Sequence, residues 1–190
     1  MVEIAGLVLA AGAGRRYGMA KALVEWRGRL LVRRAAGTLA EAGCAPVLVV
    51  VGARADEVRA AAPELTYVGN PGWDAGMASS LRAGLAALAG TPAAAAVVLL
   101  VDMPGVTPSA VRRITAVATP DVLAMGGYGD RRGHPVLLGR DHWAGVAGSA
   151  TGDRGARDYL RAHADAVRVV DVGDVADDAD LDVPSGVGHA

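Results

Sequence analysis

Leu9 to Lys21 reads L-A-A-G-A-G-R-R-Y-G-M-A-K, and it concentrates glycines and basic side chains in one short stretch. Gly12, Gly14 and Gly18 let the backbone turn tightly and present N–H groups to an anion. Arg15, Arg16 and Lys21 add positive charge to the same loop, so phosphate is its natural guest. Two familiar phosphate motifs are tested against these letters. A Walker loop needs Gly-Lys-Ser/Thr, but Ala20 precedes Lys21 and Ala22 follows it. A dinucleotide fingerprint needs Gly-x-Gly-x-x-Gly, but Tyr17 stands where the third glycine belongs and Gly18 comes one place late. Arg54, placed to meet a 2′-phosphate, keeps the dinucleotide reading open.

A second group of residues carries acid. V-D-M-P, Val101 to Pro104, sets Asp102 at the end of an apolar run that Pro104 stops, so the carboxylate faces a crevice. Mg2+ suits such a site, because it takes one or two carboxylates and fills the rest of its shell with phosphate oxygens and water. Near the C-terminus D-A-D-L-D-V-P, Asp178 to Pro184, offers further carboxylates. Most of them read as solvated surface, with Asp182, just before Val183 and Pro184, the preferred second metal ligand. Asn70, Gly76, Ser79 and Ser80 lie around a helix start, where hydroxyls and backbone N–H groups can meet a base edge or ribose. Trp73 suits either a base cover or the core. His134 precedes Pro135, which biases it to extended backbone and towards a second substrate. Asp153 and Arg157, one helical turn apart, either pair with each other or join His134 at that substrate. His142, His163 and His189 show no metal-ligand spacing, and no Ser/His/Asp or Cys/His nucleophile is evident.

These loops need elements to hold them. Short β-branched runs alternate with Ala/Leu-rich stretches, which predicts an α/β fold with a mostly parallel sheet. Strands are expected over 4–11, 47–51, 65–68, 96–101, 122–125, 135–138 and 167–170. Helices are expected over 30–42, briefly around Val58, and over 79–88, 107–117 and 153–163, with Thr107 as an N-cap before Pro108. Loops that follow strands of such a sheet gather on one edge, where ligands bind.

The chain has 190 residues, 52% hydrophobic and 21% charged, which suits one domain spanning 1–190. Aromatics make up 4% with no Phe, so Val, Leu and Ala must fill the core. A mean hydropathy of +0.30 is high, yet no apolar run nears the roughly 20 residues of a spanning helix. A net charge of −1 gives no broad attraction for a polyphosphate backbone, so nucleic acid is not an expected partner and any anion must be gripped locally. The single cysteine, Cys44, reads as a small core filler, and no secretory leader is evident, which points to a reducing cytoplasm.

Taken together, the motifs resemble the MobA-like nucleotidyltransferases, and more closely the molybdenum cofactor cytidylyltransferases. The most specific match is L-A-A-G-x-G-x-R-x-G-x-x-K, carried by Leu9, Ala10, Ala11, Gly12, Gly14, Arg16, Gly18 and Lys21. N-P-x-W-x-x-G-M-x-S-S-L at Asn70, D-M-P at Asp102, G-H-P-V at Gly133, G-D-x-G-A-R at Gly152 and the D-L-D-V-P tail follow in family order. The resemblance implies one Rossmann-like three-layer domain of the nucleotide-diphospho-sugar transferase type. It implies that the first loop holds a triphosphate, that the Asn70 to Ser80 region meets base and ribose, and that Asp102 with a tail Asp binds Mg2+. Arg16 and Lys21 would stabilise departing pyrophosphate. The implied reaction transfers CMP from CTP to a phosphate-bearing acceptor such as molybdopterin, with a molybdoenzyme as a possible client. Ala11, where guanylyl-transferring relatives carry a second glycine, favours CTP by analogy. The tail departs from the family pattern D-x-D-T-P-E-D in having Val183 and then Ser185-Gly186. Relatives called nicotine blue oxidoreductases share the signature, so an NADPH-dependent oxidoreductase stands as an alternative, as does a non-catalytic cofactor carrier.

Overall fold

The computed structural model describes residues 2–15 and 17–181. Its centre is a seven-stranded sheet in the order β5-β4-β1-β6-β8-β7-β9. β1 (Ile4–Leu9), β4 (Val47–Val51), β5 (Thr66–Gly69) and β6 (Ala95–Leu100) run parallel. β8 (Arg131–Gly139) runs antiparallel to both β6 and β7 (Leu123–Tyr128), and β9 (Val167–Asp171) is parallel to β7. β1, β4 and β6 are continuous apolar runs of the sequence, as burial on both faces requires, whereas β5 at the sheet edge reads TYVG and is only partly buried.

Alternate strand residues feed two cores. Val8, Val49, Val97, Leu99 and Leu137 point to one face, covered by α1 (Leu31–Glu41), α2 (Ala55–Ala61) and α4 (Pro108–Thr115). Leu7, Leu48, Val50, Val98 and Leu138 point to the other, covered by α3 (Met77–Leu88), α5 (Trp143–Ser149) and α6 (Arg157–Ala162). The result is a mostly parallel α/β sheet, as the strand pattern predicts, in the three-layer arrangement that the family resemblance implies. Chain progress reverses between β1 and β6: β4 and β5 are added on one side of β1 and β6 on the other. Their carboxyl ends therefore form the switch point where a doubly wound sheet opens a crevice.

Three local features differ from expectation. A two-stranded hairpin, β2 (Glu25–Trp26) with β3 (Arg29–Leu30), follows the glycine-rich loop; two-residue strands are too short to show a period. A helix covers Trp143–Ser149, where Trp143 packs into the core and its indole N–H donates to the Leu138 carbonyl at 2.9 Å. The helix expected over 153–163 begins only at Arg157, because the residues before it cap another helix. Thr107 does cap α4: its hydroxyl accepts from the Ala110 N–H at 3.3 Å and donates to the Val175 carbonyl at 2.8 Å, tying the C-terminal segment across the sheet end.

Candidate functional site

Two adjoining cavities lie at the switch point. The first, about 460 Å3, is lined by the loop after β1 (Ala11, Gly12, Ala13, Gly14 and Arg15), by Lys21, and by Asp102 at the end of β6. Leu9, Trp73, Gly76, Ser80, Asp153 and Asp180 are also among its lining residues. Ala10, by contrast, is buried, its N–H donating to the Val50 carbonyl at 2.9 Å, so it anchors the loop and does not line the cavity. Gly14 has φ +60°, and a Cβ there would collide with the Met19 carbonyl, so this position demands glycine. A Cβ at Gly12 would meet no protein atom within 4 Å, which leaves its backbone open to a ligand.

Lys21 opens a 3-10 turn (Lys21–Leu23) between two buried alanines, Ala20 and Ala22. Its ammonium donates to Asp102 Oδ2 at 2.6 Å, with the two side chains 20% and 18% exposed. Across the cavity Gly76, at φ +101°, starts α3, and a Cβ there would sit 2.6 Å from the Gly152 carbonyl group. That close approach lets the 150–156 segment cap α3: the Gly152 carbonyl accepts from the Ala78 N–H at 2.9 Å, and Asp153 Oδ1 accepts from the Met77 N–H at 3.3 Å. Asp153 is thus spent at a helix N-terminus, where a carboxylate is favoured, and no bond to Arg157 forms among the described residues. Arg154 pairs with Asp158 instead, at 3.3 Å.

Asn70 and Ser79 support the site without lining either cavity. The buried Asn70 amide donates to Ser79 Oγ at 2.8 Å and to Ser80 Oγ at 3.0 Å, and its oxygen accepts from the Gly72 N–H at 3.1 Å. The Ser79 hydroxyl donates in turn to the Gly76 carbonyl at 2.8 Å. Ser80 Oγ accepts from Asn70 and faces the first cavity, where its hydroxyl proton is available to a ligand acceptor.

The second cavity, about 650 Å3, shares Leu9, Met77, Leu100, Asp153 and Asp180 with the first. His134 and Arg157 line it, together with Arg131, Arg132, Arg154 and Arg161. Its floor is apolar, with Met103, Met125, Val98 and Leu160 among its residues. Burial pushes the His134 imidazole down to about 4 and Arg157 pushes the same way, against the carboxylates of Asp178 and Asp102, so the ring is neutral near pH 7.

The acidic tail is not simply surface. The Asp177 N–H donates to the Gly105 carbonyl at 3.1 Å and the Leu181 N–H to the Asp102 carbonyl at 2.9 Å, which draws the segment between them over the junction of the cavities. Asp178 meets Arg131 at 3.1 Å with a side chain only 9% exposed, and Asp180 lines both cavities. Asp180 was not singled out from sequence, since nothing in a run of aspartates marks the one whose backbone neighbour is pinned to Asp102. Arg16 and Asp182 lie outside the described residues. Arg54 holds Glu57 through two bonds of 2.7 and 2.6 Å and lines neither cavity. Among the described residues no group of three or more His, Cys, Asp or Glu converges to hold a metal by itself, and no helix is long and apolar enough to cross a membrane.

Residues 6–167 match the MobA-like NTP transferase domain. The chain is 38% identical over 189 residues to a nicotine blue oxidoreductase from Paenarthrobacter nicotinovorans, covering 94% of this chain and 92% of that one. It is also 38% identical over 103 residues to a probable molybdenum cofactor guanylyltransferase from Opitutus terrae, covering 54% and 50% of the two chains. Among solved structures it is similar to Rv0371c from Mycobacterium tuberculosis, with a TM-score of 0.81 and 30% identity over 96% of this chain and 93% of that one. A manganese complex of Rv0371c superposes with a TM-score of 0.78 at 29% identity, over 95% and 94% of the chains.

Proposed function

This chain belongs to the MobA-like NTP transferase family, and on that premise we propose that it transfers CMP from CTP, with Mg2+, to a phosphate-bearing acceptor such as molybdopterin. The observation that carries the reading is the meeting of two cavities at one wall: an open glycine loop with Lys21 and Asp102 on one side, an arginine-rich pocket on the other. In this reading residues 1–190 form a single transferase domain working in the cytoplasm.

The donor set fits a divalent cation. Asp102 already holds a cation in the form of the Lys21 ammonium, and Asp180 faces the same cavity. One or two carboxylates completed by phosphate oxygens are what Mg2+ favours. Asp102 and Asp180 would hold it; Asp182, the tail residue expected from sequence, lies outside the described residues. Bound there, Mg2+ would supply charge neutralisation on the phosphates.

The chain's own residues account for the rest. The Gly12 to Gly14 backbone cradles the triphosphate, and Ser80, oriented by Asn70, offers its hydroxyl to the base or ribose. Arg157, Arg132 and His134 hold the acceptor in the second cavity, so that its terminal phosphate oxygen faces the α-phosphorus across the shared wall. That oxygen bonds to the α-phosphorus, the bond from the α-phosphorus to the α,β-bridging oxygen breaks, and pyrophosphate departs. Lys21, with Arg16 in the same loop, balances the charge that develops on the leaving group. Little covalent work falls to the protein; alignment and electrostatics supply the rate. Ala11 supports CTP over GTP by the analogy drawn from sequence.

The test is transfer of α-labelled phosphate from CTP or GTP to molybdopterin with Mg2+. Labelled acceptor and equimolar pyrophosphate are expected with CTP; failure with every nucleoside triphosphate would count against the reading. A second reading, reduction of a small molecule by NADPH, rests on the 38% identity to nicotine blue oxidoreductase along nearly the whole chain. Arg54, the residue that sequence offered for a 2′-phosphate, pairs with Glu57 at the surface and lines neither cavity.

A further inference from the structure

The Lys21–Asp102 pair occupies the position where the proposed reaction needs a metal. The ammonium lies 2.6 Å from Asp102 Oδ2, both side chains are about four-fifths buried, and both line the first cavity. An ammonium and a divalent ion compete for the same oxygen. Displacing the Lys21 ammonium from Asp102 breaks a close ion pair between partly buried groups, which is costly. A triphosphate seated on the Gly12 to Gly14 loop changes that balance, because it brings anionic oxygens into the cavity that Lys21 already lines. The stem of Lys21 is flexible, whereas its backbone is fixed between buried Ala20 and Ala22, so the ammonium can move without its anchor.

We propose, on the transferase reading, that Lys21 is the resident counter-ion of Asp102 and couples the two ligands, so that metal binds weakly to the free protein and tightly once nucleotide draws the ammonium away. Lys21 is then a positioning residue for the metal as well as a partner of the leaving group. Coupling of this kind is reciprocal, so metal strengthens nucleotide binding by the same factor.

Mn2+ serves as the probe, with free ion read by electron paramagnetic resonance on the full chain, with and without CTP, after subtraction of the Mn2+ that CTP takes up in protein-free buffer. The wild type is expected to bind Mn2+ at least about tenfold more tightly in the presence of nucleotide, a coupling of ordinary size. Lys21→Met and Lys21→Gln, checked as folded by circular dichroism, are expected to bind Mn2+ alone about tenfold more tightly than wild type and to show a smaller nucleotide effect than wild type, limited to what the phosphate oxygens themselves add. Lys21→Arg, which keeps the cation, is expected to behave as wild type, and Asp102→Asn to lose Mn2+ binding. Equal Mn2+ affinity of the folded neutral variants and wild type overturns the proposal. Tighter Mn2+ binding by those variants, with a wild type indifferent to every nucleoside triphosphate, supports the counter-ion role and overturns the transferase reading instead.

Discussion

At the scale of single residues, the site divides into groups that touch ligand space and groups that aim them. Lys21 and Asp102 are of the first kind. Replacing Lys21 by Ala should lower turnover by a factor on the order of 100, the usual loss when one donor to a developing anion is removed; a steady-state pyrophosphate assay on the folded variant checks this. His134 makes a separate prediction about stability. Its folded pKa, about 4, lies below the ordinary 6.5, so the unfolded chain takes up the proton first. The contribution is full above pH 6.5 and is lost as pH falls towards 4. Between pH 7 and 4.5 the wild type should lose about 2 kcal/mol more than His134→Gln, as read from urea midpoints. Parallel curves for the two proteins would show that the ring is not held neutral. Asn70 is of the second kind: both its amide hydrogens and its oxygen are used inside the protein, so it matters through Ser80.

At the scale of elements, the site depends on segments that regular structure does not explain. The 150–156 loop caps α3 through Gly152 and Asp153, and it approaches closely because Gly76 has no side chain. Gly76→Ala introduces both a disfavoured φ and a backbone clash, and should cost about 1–3 kcal/mol, a loss of several degrees in Tm for a chain of this length. The tail segment acts differently. A chain ending at Asp177 keeps every strand of the sheet but loses Asp178 and Asp180. It should remain folded by circular dichroism while losing divalent-metal dependence, and an unchanged metal requirement would remove the tail from the site. Much of this level was legible in the letters. Strands β1, β4 and β6 show as unbroken apolar runs, and Thr107-Pro108 marks the start of α4. The lengths of β8 and α6 and the presence of β2, β3 and α5 were not legible: a cap supplied across the fold, or a two-residue strand, leaves no period in the sequence.

At the scale of the whole molecule, a net charge of −1 conceals a strongly uneven distribution. Arg131 and Arg132 from β8, Arg154 from the loop before α6, and Arg157 and Arg161 from α6 come together on one cavity. The first cavity was largely readable, since its loop is contiguous and its aspartate stands at a strand end. The second was readable only at His134, Asp153 and Arg157, because an arginine in β8 and another in α6 become neighbours only through strand order. Nucleotidyl transfer by a metal-dependent site can be separated from hydride transfer by a thermal-shift panel of CTP, GTP, ATP and NADPH, each with and without Mg2+. A ligand at about 100 times its Kd adds roughly 2.7 kcal/mol, or about 5–10 °C for a chain of this size. CTP should give such a shift, dependent on Mg2+. A metal-independent shift with NADPH, with no response to any triphosphate, would contradict nucleotidyl transfer and make hydride transfer the activity to assay.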